Sequence, residues 1–306
     1  MSKTTSFFAF DNGNNWRWNW RWWWRGGNAN ATAVNNQALS INSDTLNISA
    51  TAIAGRWGTG RATGIADSKI FFGGSNINIS TYARGRDAYA IGMLGSLIQA
   101  CGCDDKTINI NAKSRVFSYD PAWGMQDSKI LTGSGNDLIS ITADAGYANR
   151  WGRRSGSQIL AKGMESSLLN TGSGDDVIAI KSLANGDRRS MGNAIGIDQN
   201  SQIITGNGND KIEVTAAATG VGATAWGIRD SAIDTGSGND SVSINANARS
   251  NGGGWWWRGN PAIAKGLDNS ILDTGAGDDT ISINTNASSN GGWWWWNRGG
   301  NADSVG

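Results

Sequence analysis

One unit recurs along almost the whole 306-residue chain, and a recurrence of this period limits the possible folds more than any other feature. From Gly124 the sequence reads GMQDSKILTGSGNDLISITADA, and from Gly163 GMESSLLNTGSGDDVIAIKSLA. Further copies start at Gly196 (GIDQNSQIITGNGNDKIEVTAAA), Gly227 (GIRDSAIDTGSGNDSVSINANA) and Gly266 (GLDNSILDTGAGDDTISINTNA). Weaker copies start near Asn36 and at Gly64 and Gly92. Successive starts from Gly64 onward lie 28 to 39 residues apart, and the variation falls in the segment after each unit's closing Ala, which marks that segment as loop.

Within a unit the pattern alternates as a strand does. Ser128 and Ile130 share one face, and Ile139, Ile141 and Ala143 share another, with polar residues between them. Two short strands flank each turn and a third apolar segment closes the unit. The chain is therefore expected to be all-β: a single-stranded parallel β-helix (β-solenoid) of about eight coils, with variable Trp/Arg-rich loops at one corner. Residues 1–34 read as an N-terminal partial coil with a Trp/Arg loop, 35–123 as degenerate coils, and 124–306 as regular coils with an open C-terminal end. Equivalent serines, Ser128, Ser167, Ser201, Ser231 and Ser270, are expected to stack as an internal hydroxyl ladder. An antiparallel propeller or sandwich is the alternative, but propeller blades need four strands per repeat.

Composition removes several classes of function. With no His, the chain lacks the residue most used for general acid–base work and for zinc ligation. Lys and Arg number 26 against 25 Asp and Glu, so no overall field draws the protein to nucleic acid. Cys101 and Cys103 are too close in sequence for an unstrained disulfide. The N-terminus lacks the apolar stretch of a signal peptide, and no run is long enough for a transmembrane segment. Location stays open between a cell-surface or extracellular site reached without a signal peptide and the cytoplasm.

The five regular turns carry glycines at Gly133 and Gly135, Gly172 and Gly174, Gly206 and Gly208, Gly236 and Gly238, and Gly275 and Gly277, each pair followed by Asp137, Asp176, Asp210, Asp240 or Asp279. This x-G-x-G-x-D-x-U-x pattern, with U a large aliphatic residue, resembles the calcium-binding repeats of the RTX family over residues 124–287. The resemblance implies a Ca2+ cofactor held by those glycine carbonyls and aspartates between stacked turns. Unlike the RTX pattern, the motif occurs once per unit, and Thr replaces its first Gly. The competing reading is a solvated tight turn whose Gly, Asn and Asp serve turn geometry alone.

Tryptophan is concentrated in three loops: Trp16, Trp18, Trp20, Trp22, Trp23 and Trp24 with Arg25; Trp255, Trp256 and Trp257 with Arg258; and Trp293, Trp294, Trp295 and Trp296 with Arg298. Their continuations match, so that Ala29 and Ala302 end equivalent loops. Such indoles are expected either to pack on one another or to meet a partner. Thr5–Phe10 followed by Trp16 aligns with Thr280–Ile283 followed by Trp293, and the tail Ala302–Gly306 compares with Ala66–Ile70 as the opening strand of a further unit.

These features lead to the expectation of a non-enzymatic structural protein that joins copies of itself head to tail through open coil ends and the Trp/Arg loops. The alternative is a binding or adhesion module whose Trp/Arg loops dock on a membrane, a polysaccharide or a larger protein complex. A polysaccharide-cleaving enzyme needs clustered Asp beside Lys or Arg on a strand face, and the sequence places Asp only in turns.

Overall fold

In the computed structural model, residues 3–13, 27–55, 57–100, 102–147, 157–187, 190–251, 261–290 and 302–305 are described. Each repeat contributes a strand to the same three places, and each strand pairs in parallel with its equivalents in the repeats before and after. One column of positions illustrates the register: Phe7, Ile48, Ile79, Ile110, Ile141, Ile180, Val214, Ile244 and Ile283 lie side by side across nine strands.

The expected single-stranded β-helix of about eight coils needs correction. Sixteen strands belong to one sheet, which doubles back through the long strands Asn76–Leu94 and Thr107–Gln126 and runs out in two arms, while eight short strands form a second sheet. The parallel sheet is thereby nearly closed, and the arrangement is closer to a barrel of parallel strands. The physical reason is continuity of backbone pairing around the bend. In these two repeats the segment read as loop remains strand, and the chain turns at an irregularity between Gly85 and Asp87 instead of leaving the sheet.

Alternation with period two puts β-branched residues inside and polar residues outside. Ile139, Ile141 and Ala143 are fully buried along Leu138–Tyr147, as are Ile178 and Ile180 in the next repeat. Ile, Leu, Met and Phe fill the space toward the short sheet, and a separate cluster made almost wholly of Ala lies where the two arms approach. The glycine that opens each unit is fixed by this packing. A Cβ on Gly163 would lie 2.2 Å from Ile180 Cγ2 and 2.5 Å from the Gly196 carbonyl oxygen.

The serine ladder forms. Ser96, Ser128, Ser167 and Ser201 each donate a backbone N–H to the hydroxyl of the following repeat's serine at 3.2 to 3.3 Å. Each hydroxyl is anchored by donating back to a nearby carbonyl, as Ser128 Oγ does to Gln126 O at 2.7 Å. The residue before the serine bends the chain in the left-handed region, at φ 49° for Asp127 and 48° for Asp230, a conformation Asp and Asn tolerate better than most.

Register also corrects two sequence alignments. Thr4, not Thr5, shares a column with Thr280, so Phe7 rather than Phe8 matches Ile283. A slip of one residue exchanges the two faces of a strand, and Phe8 accordingly points outward at 76 % exposure. Ala302 shares a column with Ala29 and Gly60, as the matching loops imply, so the tail continues an arm of the large sheet and is not equivalent to Ala66–Ile70.

Candidate functional site

The regular turns stack directly on one another. All ten turn glycines have positive φ, from 69° at Gly275 to 147° at Gly277, which is why glycine recurs at these places. Their backbones form a ladder of their own. Ser173 N–H donates to Gly133 O at 3.1 Å, Ser237 to Gly206 at 2.8 Å and Ala276 to Gly236 at 3.0 Å. In the other direction Gly135 N–H donates to Ser173 O, Gly174 to Asn207, Gly208 to Ser237 and Gly238 to Ala276.

The pair that ends each turn, Asn or Asp followed by Asp, is bound from both sides. The first residue's amide is held by the preceding repeat: Asp175 N–H donates to Asn136 Oδ1 at 2.8 Å and Asn209 N–H to Asp175 Oδ1 at 2.7 Å. The second residue's amide is held by the following repeat: Asp137 N–H donates to Asp176 Oδ1, Asp176 to Asp210 Oδ1 and Asp210 to Asp240 Oδ1, each at 2.8 Å. Asp240 N–H donates to Asp279 Oδ1 at 2.9 Å. In the degenerate turn before these, Lys106 takes the Asp position, and its amide donates to Asp137 Oδ1 at 2.7 Å.

The aspartates point inward. Asp137, Asp176, Asp210 and Asp240 are buried, and Asp279, in the last such turn, is partly open. Burial pushes the carboxyls of Asp137 and Asp210 above their ordinary range and raises that of Asp176 to about 6, with the neighbouring charges of Asp137 and Asp210 adding to the rise. At Asp240 the second carboxylate oxygen accepts Thr235 Oγ1 at 2.5 Å. The corresponding Oδ2 atoms of Asp137, Asp176 and Asp210 are buried without a hydrogen-bond partner, as are Lys106 Nζ and Thr171 Oγ1.

The calcium cage that the RTX-like motif implies would draw on these same turn oxygens. Calcium takes six to eight oxygens. Here the turn carbonyls named above accept interlayer amides, one oxygen of each aspartate does the same, and Asp137, Asp176 and Asp210 each have a single oxygen left over. Among the described residues no three acidic or cysteine side chains converge on a point.

A second charged cluster spans three repeats on one arm. Asp198, fully buried, receives Arg229 through two bonds, Nε to Oδ1 at 2.7 Å and NH2 to Oδ2 at 2.8 Å, and Lys162 Nζ at 2.7 Å. Lys162 also bridges to Glu165, and the Arg229 guanidinium lies 4.7 Å from the centre of the Trp226 ring. Burial alone would raise the Asp198 carboxyl, but the hydrogen bonds from Arg229 and Lys162 outweigh it and hold the group below its ordinary value. An aspartate beside Lys and Arg on a strand thus exists, contrary to the sequence reading. The signal was present: Gln126, Glu165, Asp198, Arg229 and Asp268 occupy one column of the repeat.

The Trp/Arg loops, Trp16 to Arg25, Trp255 to Arg258 and Trp293 to Arg298, lie outside the described residues. No helix among the described residues is long and apolar enough to cross a membrane. Comparison with protein-family models, curated proteins and solved structures gives no match, which neither supports nor excludes the RTX-like resemblance.

Proposed function

We propose that this is a non-enzymatic structural protein that associates with further copies of itself through the outermost strands of its large sheet. One observation carries the reading. The interior columns of apolar side chains run open at both outer layers: Ile281 is 48 % exposed where its column neighbour Val242 is 1 % exposed, and Phe7 is only partly buried where Ile48 is 1 % exposed. Among the described residues strand Thr4–Asn12 pairs only with Thr45–Ile53, and Thr280–Ser289 only with Ser241–Ser250, so each presents an edge of N–H and C=O groups there.

The two edges are equivalent in register. Thr4–Asn12 of a second copy laid in parallel on Thr280–Ser289 sets Phe7 over Ile283 and covers both apolar surfaces, and Ala29–Asn35 of that copy then falls beside Ala302–Val305. The short sheet is interrupted by one strand at such a junction. Contacts of this head-to-tail kind are heterologous, so they extend into an open chain unless the geometry closes a ring. The charged clusters support a structural role, because Asp198 is enclosed and engaged by two cations, which makes it a poor proton donor.

Sedimentation velocity over a range of concentrations, with electron microscopy of the same samples, tests the reading. End-to-end oligomers growing with concentration are expected, and Ile283→Asp should return them to monomers. A monodisperse monomer at high concentration overturns it. Flotation of the intact protein with anionic liposomes would instead favour the binding-module reading.

A further inference from the structure

We propose that Lys3 of one copy and Asp279 of the next form an ion pair that fixes the register of end-to-end association; the inference rests on the association proposed above. Both residues belong to one column of the turn. Lys3 O accepts the backbone N–H of Thr45, as Asp44 O accepts that of Asn76, Ser75 O that of Thr107, Lys106 O that of Leu138 and Asp240 O that of Thr280. The column therefore runs from Lys3 through Asp44, Ser75, Lys106 and Asp137 and reaches Asp279, directly before Thr280. Lys3 is linked as the interior members are: its N–H donates to Asp44 Oδ2 at 2.9 Å, and Lys106 N–H to Asp137 Oδ1 at 2.7 Å.

The charges at the two outer layers are complementary. From Asp137 to Asp279 the column holds an unbroken run of aspartates, with the buried Lys106 at its inner end. At the outer end Asp279 is only partly covered, where Asp240 one repeat inward is 1 % exposed, and its Oδ1 accepts Asp240 N–H at 2.9 Å. Laying Thr4–Asn12 of a second copy on Thr280–Ser289, with Phe7 over Ile283, sets Lys3 beside Asp279 at one strand spacing, about 4.8 Å. The added strand encloses the Asp279 carboxylate, and burying a charge is costly unless a partner comes with it. Lys3, exposed in the single copy, brings that partner. Lys106 shows that the column has room for a lysine within the fold. The pair also discriminates between registers. A slip of two residues keeps the faces of both strands but sets Lys3 against Gly277 or Ile281.

The test is charge reversal in the full chain, read by sedimentation velocity. Lys3→Glu and Asp279→Lys should each raise the concentration needed for association about tenfold or more, because each sets like charges together at the junction. An equimolar mixture of the two variants should associate as the unsubstituted protein does, since every junction between unlike variants then joins opposite charges. Undiminished association of either variant alone, or a mixture no better than its components, overturns the pair and leaves the association reading intact. Absence of oligomers from the unsubstituted protein overturns both. Should Asp279→Lys fail to fold, Asp279→Asn keeps Oδ1 for the Asp240 amide and removes only the charge. Asp279→Asn and Lys3→Met should then each weaken association and together weaken it no further, whereas unchanged single variants or additive losses overturn the pair.

Discussion

The backbone N–H of Asp176 donates to Asp210 Oδ1 of the next repeat at 2.8 Å, while Asp176 Oδ1 accepts the backbone N–H of Asp137 from the repeat before it. The stacked turns are therefore tied in both directions, by side chain to main chain and by main chain to main chain.

Removing one link should orphan a buried amide. Asp210→Ala is expected to destabilise the protein by about 1–3 kcal/mol, because Asp176 N–H loses its acceptor away from water. Asp210→Asn, which keeps Oδ1, should cost less. Urea unfolding of the two variants separates an amide acceptor from a residue needed for its charge.

At the turn glycines the expectation is harsher. Gly172 has φ 91°, and a Cβ there would lie 1.6 Å from the Gly133 carbonyl oxygen, so Gly172→Ala must push two stacked backbones apart. Loss of more than about 3 kcal/mol, or of the folded protein, is expected. Gly146→Ala is the control: its Cβ would meet atoms at 3.4 Å or beyond, and the circular dichroism melt should move little.

Arg229→Ala leaves Asp198 buried with Lys162 as its remaining cation. A loss of about 3 kcal/mol is expected at neutral pH. Since Arg229 and Lys162 hold the folded Asp198 carboxyl below its unfolded value, this stabilisation is present above about pH 4 and is lost as the pH falls further. Wild type and variant should accordingly converge in acid, as measured by denaturant titration at several pH values.

Strand positions were legible because period-two alternation of Ile with polar residues is repeated so often that columns such as Ile141–Ile180 can be read from the text alone. The serine ladder was legible for the same reason. The large sheet's closure was not, since Asn76–Leu94 and Thr107–Gln126 remain strand through segments that in other repeats vary in length. The role of Asp137, Asp176, Asp210 and Asp240 was hidden by chemistry: a carboxylate after a glycine-rich turn suits a cation and a stack of amides equally, and only register shows that the amides are there. The Lys162–Asp198–Arg229 cluster brings together residues from three repeats, each of which reads alone as an ordinary surface charge.

Association through the outer strands is the central claim, and its register makes it directly measurable. Ser6 and Ser282 occupy the same outward column and are both exposed, so a copy added at the free edge would set them one strand spacing, about 4.8 Å, apart. That separation suits a disulfide. In a background with Cys101 and Cys103 replaced by Ser, the double variant Ser6→Cys, Ser282→Cys should give a ladder of covalent oligomers on mild oxidation, resolved on a non-reducing gel and abolished by adding Ile283→Asp. Monomer alone after oxidation at high protein concentration would contradict the account.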